Sequence, residues 1–174
     1  STLSSAIESG AMFYVTNTSA DVVLSNTTLD FDSSAANLLL AAGNDSNNWG
    51  SAGSNGATLN FTGIGETMSG VIQADTISQA NVYLLDSTNW TGAASIVDNA
   101  NATSTKDDNL TINVDATSTW TVTADSTVSN LNVVSGGKVV DTAGKTVSIV
   151  DASGTTLVSG DSDITVVVTG SYGT

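Results

Sequence analysis

Cysteine, proline, histidine and arginine are all absent from this sequence, and lysine occurs only three times. Without cysteine or histidine there is no zinc site of the usual kinds, no thiol nucleophile, no Ser-His-Asp relay and no disulfide framework. Those gaps remove most enzyme chemistry, so the expectation is a protein that is not an enzyme. Lys106, Lys138 and Lys145 cannot neutralise a run of phosphates, which excludes nucleic acid as a partner. Anionic membrane surfaces repel the chain for the same reason. No apolar run approaches the roughly 18 residues that span a bilayer, so no membrane insertion is expected. The opening STLSSAIESG lacks the charged and apolar regions of a signal peptide, and any export segment is expected to lie outside this sequence.

What is present points to a folded β protein. The 174 residues are 40% hydrophobic, enough for one domain over residues 1–174 with a sizeable core and too many for a disordered chain. Seventeen acidic residues against three lysines give a formal charge of -14. All but two of the acids are Asp, scattered singly or at alternate positions apart from Asp107-Asp108 rather than gathered in a tail. This Asp-, Asn-, Ser- and Thr-rich composition is the kind expected of an extracellular protein.

Apolar residues alternate instead of recurring every three or four positions, which is the signature of strands. Leu110, Ile112 and Val114 alternate with polar residues, as do Trp120 and Val122, and Ile164, Val166 and Val168 keep the same two-residue spacing. Clusters of Gly, Asn, Asp and Ser separate these runs and suit tight turns. The strands also repeat. Aligning TMSGVIQADTISQANV from Thr67 with NWTGAASIV from Asn89 and TWTVTADSTVSNLNVV from Thr119 puts Met68, Trp90 and Trp120 in one column. The polar insert DNANATSTKDDN lengthens the second interval.

Such periods predict an all-β solenoid, a parallel β-helix in which each coil stacks on the last, with an antiparallel β-sandwich as the alternative. In a solenoid the inward positions form apolar stacks, and Gly70 and Gly92 leave room for the Trp rings. Asn at turns such as Ser25-Asn26-Thr27 would form side-chain ladders. Proline would remove ladder donors, which fits its absence.

The phrases MFYVTNTSADVVLSNTTLDF, WGSAGSNGATLNF, STWTVTADSTVSNL and GDSDITVVVTGSY resemble the C-terminal part of large secreted right-handed parallel β-helix proteins of bacteria, the adhesin-like, autotransporter-passenger-like group. The resemblance covers about residues 12 to 170 and implies right-handed coils on the outside of a cell. It also implies that the chain is the last coils and cap of a longer helix. No catalytic residue comes with it.

Several residues invite a functional reading. Asp30 and Asp32 flank Phe31, and on a strand both carboxylates would share one outward face, as would Asp161 and Asp163. Such pairs serve as acid and base in glycoside hydrolysis or as part of a calcium site. A solvated face that resists edge pairing is the simpler expectation. The run GNDSNNWGSAGSNG, residues 43 to 56, interrupts the strand pattern. It is not an EF-hand, because Trp49 stands where a ligand belongs and no Glu closes the loop. Asn44, Asp45 and Asn47 with backbone carbonyls are the candidate calcium ligands. The competing reading is a loop held by its own hydrogen bonds. Trp49 would stack on a sugar ring from this loop or fold back over the strands. Thr119, Thr121 and Thr123 form an outward Thr-x-Thr series, a surface for ice or for polysaccharide hydroxyls, although Thr is also an ordinary exposed strand residue.

The expected function is therefore a non-enzymatic, extracellular, adhesin-like module whose partners are glycans or other cell-surface components. Alternatives are a structural subunit that stacks end to end into a filament, a carbohydrate-active enzyme using Asp30 and Asp32, and an ice-binding protein.

Overall fold

A computed structural model describes residues 1–46 and 48–174. Among them every regular element is a β-strand, and no helix is long and apolar enough to cross a membrane. β1 (Thr2–Ser4) pairs in parallel with β4 (Thr28–Asp30). A four-stranded parallel sheet contains, in spatial order, β2 (Ala11–Val15), β5 (Asn37–Ala41), β8 (Ile72–Asp75) and β11 (Ala94–Val97). A six-stranded parallel sheet contains β3 (Ser19–Ser25), β6 (Thr58–Ile64), β9 (Gln79–Leu85), β12 (Leu110–Val114), β15 (Asn130–Val133) and β20 (Tyr172–Gly173). The third sheet, also parallel, contains β7 (Thr67–Ser69), β10 (Asn89–Thr91), β13 (Thr119–Val122) and β16 (Lys138–Asp141).

From β5 to β13 the chain visits these three sheets in fixed rotation, and each return pairs with the strand laid down one visit earlier. Near the C-terminus β14 (Ser126–Val128), β19 (Thr165–Val168), β17 (Ser148–Asp151) and β18 (Thr156–Val158) form a fourth, mixed sheet. Among the described residues the only antiparallel contacts are β17 with β18 and an isolated bridge between Val140 and Thr146. The antiparallel sandwich is thereby excluded, since its sheets would be built from antiparallel strands. The molecule is all-β, with mostly parallel strands in stacked sheets.

Register follows from alternation. Because side chains along a strand point to opposite faces, in-register parallel pairing stacks like on like. Phe61, Val82, Ile112 and Leu131 line up across the six-stranded sheet and are fully buried. In the third sheet Met68 pairs with Trp90, Trp90 with Trp120, and Trp120 with Val139. Both indoles are fully buried and lie face to face, with planes 10° from parallel. Trp90 Nε1 donates to the Gly70 carbonyl at 2.8 Å, so a buried indole N–H finds its partner one strand back.

Among the described residues the amide ladder does not lie at the turns, where the sequence places it. Asn26 sits at φ 53°, and its carbonyl accepts from the Ser1 amino group. The ladder runs instead along the outward face of the six-stranded sheet. Asn60 Nδ2 donates to Asp21 at 2.8 Å, Asn81 Nδ2 to Asn60 Oδ1 at 3.3 Å, and Asn132 Nδ2 to Asn113 Oδ1 at 2.9 Å. A side chain held straight out from a strand meets its in-register neighbour, whereas a turn aims its side chains variably.

Candidate functional site

The segment between Ala41 and Thr58 carries the most exposed aromatic ring. Asn55, fully buried, organises it: Nδ2 donates to the carbonyls of Asn44 at 2.8 Å and Trp49 at 3.0 Å, while Oδ1 accepts from the Asn44 amide at 3.2 Å. Asn44 Nδ2 donates to Thr16 Oγ1 at 2.9 Å, and Asn44 Oδ1 accepts from the Ser46 amide at 2.9 Å. The Asp45 carboxylate accepts from Asn101 Nδ2 at 2.8 Å, which ties this loop to the polar insert after β11. A loop so bonded holds the backbone of Trp49 while leaving the residue 62% exposed. Tyr14, outward on β2 and 49% exposed, donates its hydroxyl to the Gly43 carbonyl at 3.2 Å. Together Tyr14, Thr16, Asn44, Ser46 and Trp49 line an open cleft of about 400 Å³. Two amphipathic rings with an amide and two hydroxyls suit a ligand that has both an apolar face and a polar edge.

Asn44 and Asp45 spend their side chains on the loop contacts above, and Asn47 lies outside the described residues. No group of three or more Asp, Glu, His or Cys side chains that could hold a metal occurs among the described residues.

The strand carrying Asp30 ends there, so Asp30 and Asp32 do not form a strand pair. Asp30 accepts from the Ser4 hydroxyl at 3.3 Å. Asp32 lies in the following turn, where its Oδ1 accepts from the Ser34 hydroxyl at 2.6 Å and the Ser34 amide at 3.0 Å. These bonds, the hydroxyl first, hold its carboxyl below the usual value. Asp161 and Asp163 are not a strand pair either, since both precede the first residue of β19 and lie in an exposed bend.

The same turn chemistry recurs. Ser153 and Ser162 hydroxyls lead the donors that lower Asp151 and Asp141 respectively, with backbone amides adding to each. At Asp115 partial burial pushes the pKa up. The Asp86 amide, Ser118 and Thr117 outweigh it and hold the carboxyl at about 2. The Asp86 amide bond spans 2.8 Å, and the Thr117 amide and hydroxyl each bond at 3.0 Å. Asp at these corners is a turn former that remains ionised.

Thr119 and Thr121 project outward from β13, opposite Asn89 and Thr91 of β10. Thr121 donates to Asn89 Oδ1 at 3.2 Å. Thr123 lies just beyond the end of β13, exposed, beside Ser69, Thr91 and Ser34 around a shallow depression of about 300 Å³.

Tyr14 belongs to no motif that singles it out, although its alternation with inward Phe13 and Val15 marks it as outward. Two buried acids are equally silent in the sequence. Asp75 accepts from the amides of Gly43 at 2.8 Å and Ile77 at 3.2 Å and from Asn99 Nδ2 at 2.9 Å. Glu66 accepts from the Thr27 amide at 2.8 Å. Neither has a clear sequence signal, because most of their donors come from distant segments.

Comparison of the chain with known proteins found no matching family model, no matching curated protein and no matching solved structure.

Proposed function

We propose that this chain is a right-handed parallel β-helix that works outside the cell as a non-enzymatic, adhesin-like module, binding glycans through the cleft between Trp49 and Tyr14. The observation that carries the reading is the exposed Trp49 ring on a backbone fixed by buried Asn55. A large exposed ring beside a second one is a surface suited to a partner, and a ring on a fixed backbone loses little freedom on binding. Sugar rings offer the matching surface, an apolar face edged by hydroxyls. Thr16, Asn44 and Ser46 supply the polar rim. The fixed rotation of the chain through three parallel sheets supports the β-helix part of the reading.

The acids argue for binding over catalysis. Asp30 and Asp32 are engaged in local bonds and share no strand face from which to act together as acid and base.

Trp49 reports on its own site, since Trp90 and Trp120 are fully buried. Titration of the protein with neutral oligosaccharides should shift the acrylamide-quenchable part of the tryptophan emission. No change in that component with any glycan that the protein retains on a column would overturn the assignment of the cleft.

A further inference from the structure

The outward face of the six-stranded sheet holds a second polar depression, of about 470 Å³. Its origin is one small residue. In the column Asn60, Asn81, Thr111, Asn130, the ladder of long amides is interrupted by Thr111. Asn130 reaches back across the gap, donating to Thr111 Oγ1 at 3.1 Å and to Asp108 Oδ1 at 2.8 Å, while its own Oδ1 accepts from the Ser171 amide at 3.0 Å. Gln79 Nε2 is turned toward the Asp107 carbonyl at 3.0 Å.

The result is a set of free acceptors beside the amide nitrogens of Gln79, Asn81 and Asn132, each of which makes one bond with two N–H groups. Among the described residues nothing donates to Gln79 Oε1, Asn81 Oδ1, Asn132 Oδ1 or the second oxygen of Asp108. Asp108 is the only charged group among the lining residues. Such a surface suits a ligand rich in uncharged hydroxyl donors, and it repels uronates. Gln79 and Asn81 lie on β9 and Asn132 on β15, with β12 between them, so these acceptors stand about two strand spacings of ~4.8 Å apart, a span that an extended oligosaccharide can bridge. Beside the depression Tyr83, on the same face of β9, lines a second hollow with Val23 and Leu85, which offers a ring for stacking.

We propose that this face is a second glycan site, separate from the Trp49 cleft. It takes a neutral oligosaccharide laid across the strands, with hydroxyls on the Gln79, Asn81 and Asn132 carbonyls and one sugar ring near Tyr83. The inference rests on the glycan-binding reading of the chain but on different residues.

Side-chain amide resonances of the ¹⁵N-labelled full chain test it directly. Titration with millimolar neutral hexasaccharides (β-glucan, mannan and xylan) should move the amides of Gln79, Asn81, Asn130 and Asn132. Hexagalacturonate should leave them in place. Thr111→Asn fills the gap in the ladder, so it should keep the fold and weaken this response about tenfold. Trp49→Ala should leave the response intact, which separates failure at this face from failure at the cleft. The proposal is overturned if the amides stay still with all three neutral probes or move more with hexagalacturonate. It is equally overturned if calcium chloride alone moves them, or if Thr111→Asn binds as the parent does.

Discussion

The indole of Trp120 stacks on that of Trp90 with ring centroids 4.8 Å apart, and donates its N–H to the carbonyl of Gly92 at 2.9 Å. The bond repeats the one from Trp90 to Gly70, so two strands in register carry the same packing unit. Large buried rings, a satisfied polar edge and a glycine at the point of closest approach form one device.

Trp120→Ala removes one half of that stack. The loss should be about 3 to 5 kcal/mol, read as a lower urea midpoint with an unchanged slope. Trp120→Phe keeps most of the ring but leaves the Gly92 carbonyl without its donor, and should cost less than the Ala variant.

Gly92 tolerates no side chain. A Cβ there would overlap the Gly70 carbonyl and press on Trp90 Nε1. Gly92→Ala should therefore destabilise the protein by about 1 to 3 kcal/mol through overpacking, despite the ~0.4–1 kcal/mol that replacing a glycine gains through backbone preference alone. A Tm equal to that of the parent would show that the two strands can separate without penalty.

Asp75 should matter far more than its exposed counterparts. Replacing it with Ala strands the amides of Gly43 and Ile77 and the Asn99 side chain, at a cost on the order of 3 kcal/mol. Amide exchange should speed up in both loops that Asp75 joins, around Gly43 and around Asn99. Asp30→Ala, which loses one exposed bond, should change the urea midpoint little.

Acid should weaken the fold through Asp115. Its carboxyl is held at about 2, below the ordinary 3.8, so the folded chain binds this proton less readily than the unfolded chain. The contribution is fully present above that ordinary value and is lost as the pH falls through about 2. Asp32, Asp141 and Asp151 are shifted in the same direction and add to the slope. Asp115→Asn should flatten the fall in Tm across that window.

Much of the architecture was legible because parallel stacking copies sequence into space. The column Met68, Trp90, Trp120 is read from spacing alone, and the strand pairing has the same register. The insert after β11 is accommodated as a loop, leaving that register undisturbed. The limits of the strands were less legible. Asp32 follows the same alternation as Asp30, yet the chain turns between them because the Ser34 amide and hydroxyl capture its carboxylate. The loop bonds of Asn55 and Asp75 join segments far apart in sequence, and no local pattern announces them. Trp49 was legible as a candidate, while Tyr14 beside it became one only when β2 and the loop were brought together.

Glycan binding at the Trp49 cleft is tested most directly by a glycan array probed in parallel with the parent chain, Trp49→Ala and Tyr14→Ala. Both replaced side chains are exposed, so the folds should survive with nearly unchanged Tm. All three carry Thr111→Asn, which removes the contribution of the outward face of the six-stranded sheet, and the account predicts that this parent retains a set of neutral glycans which Trp49→Ala and Tyr14→Ala each lose by about tenfold or more. Equal retention by all three proteins, or retention of no glycan by the parent, would contradict it.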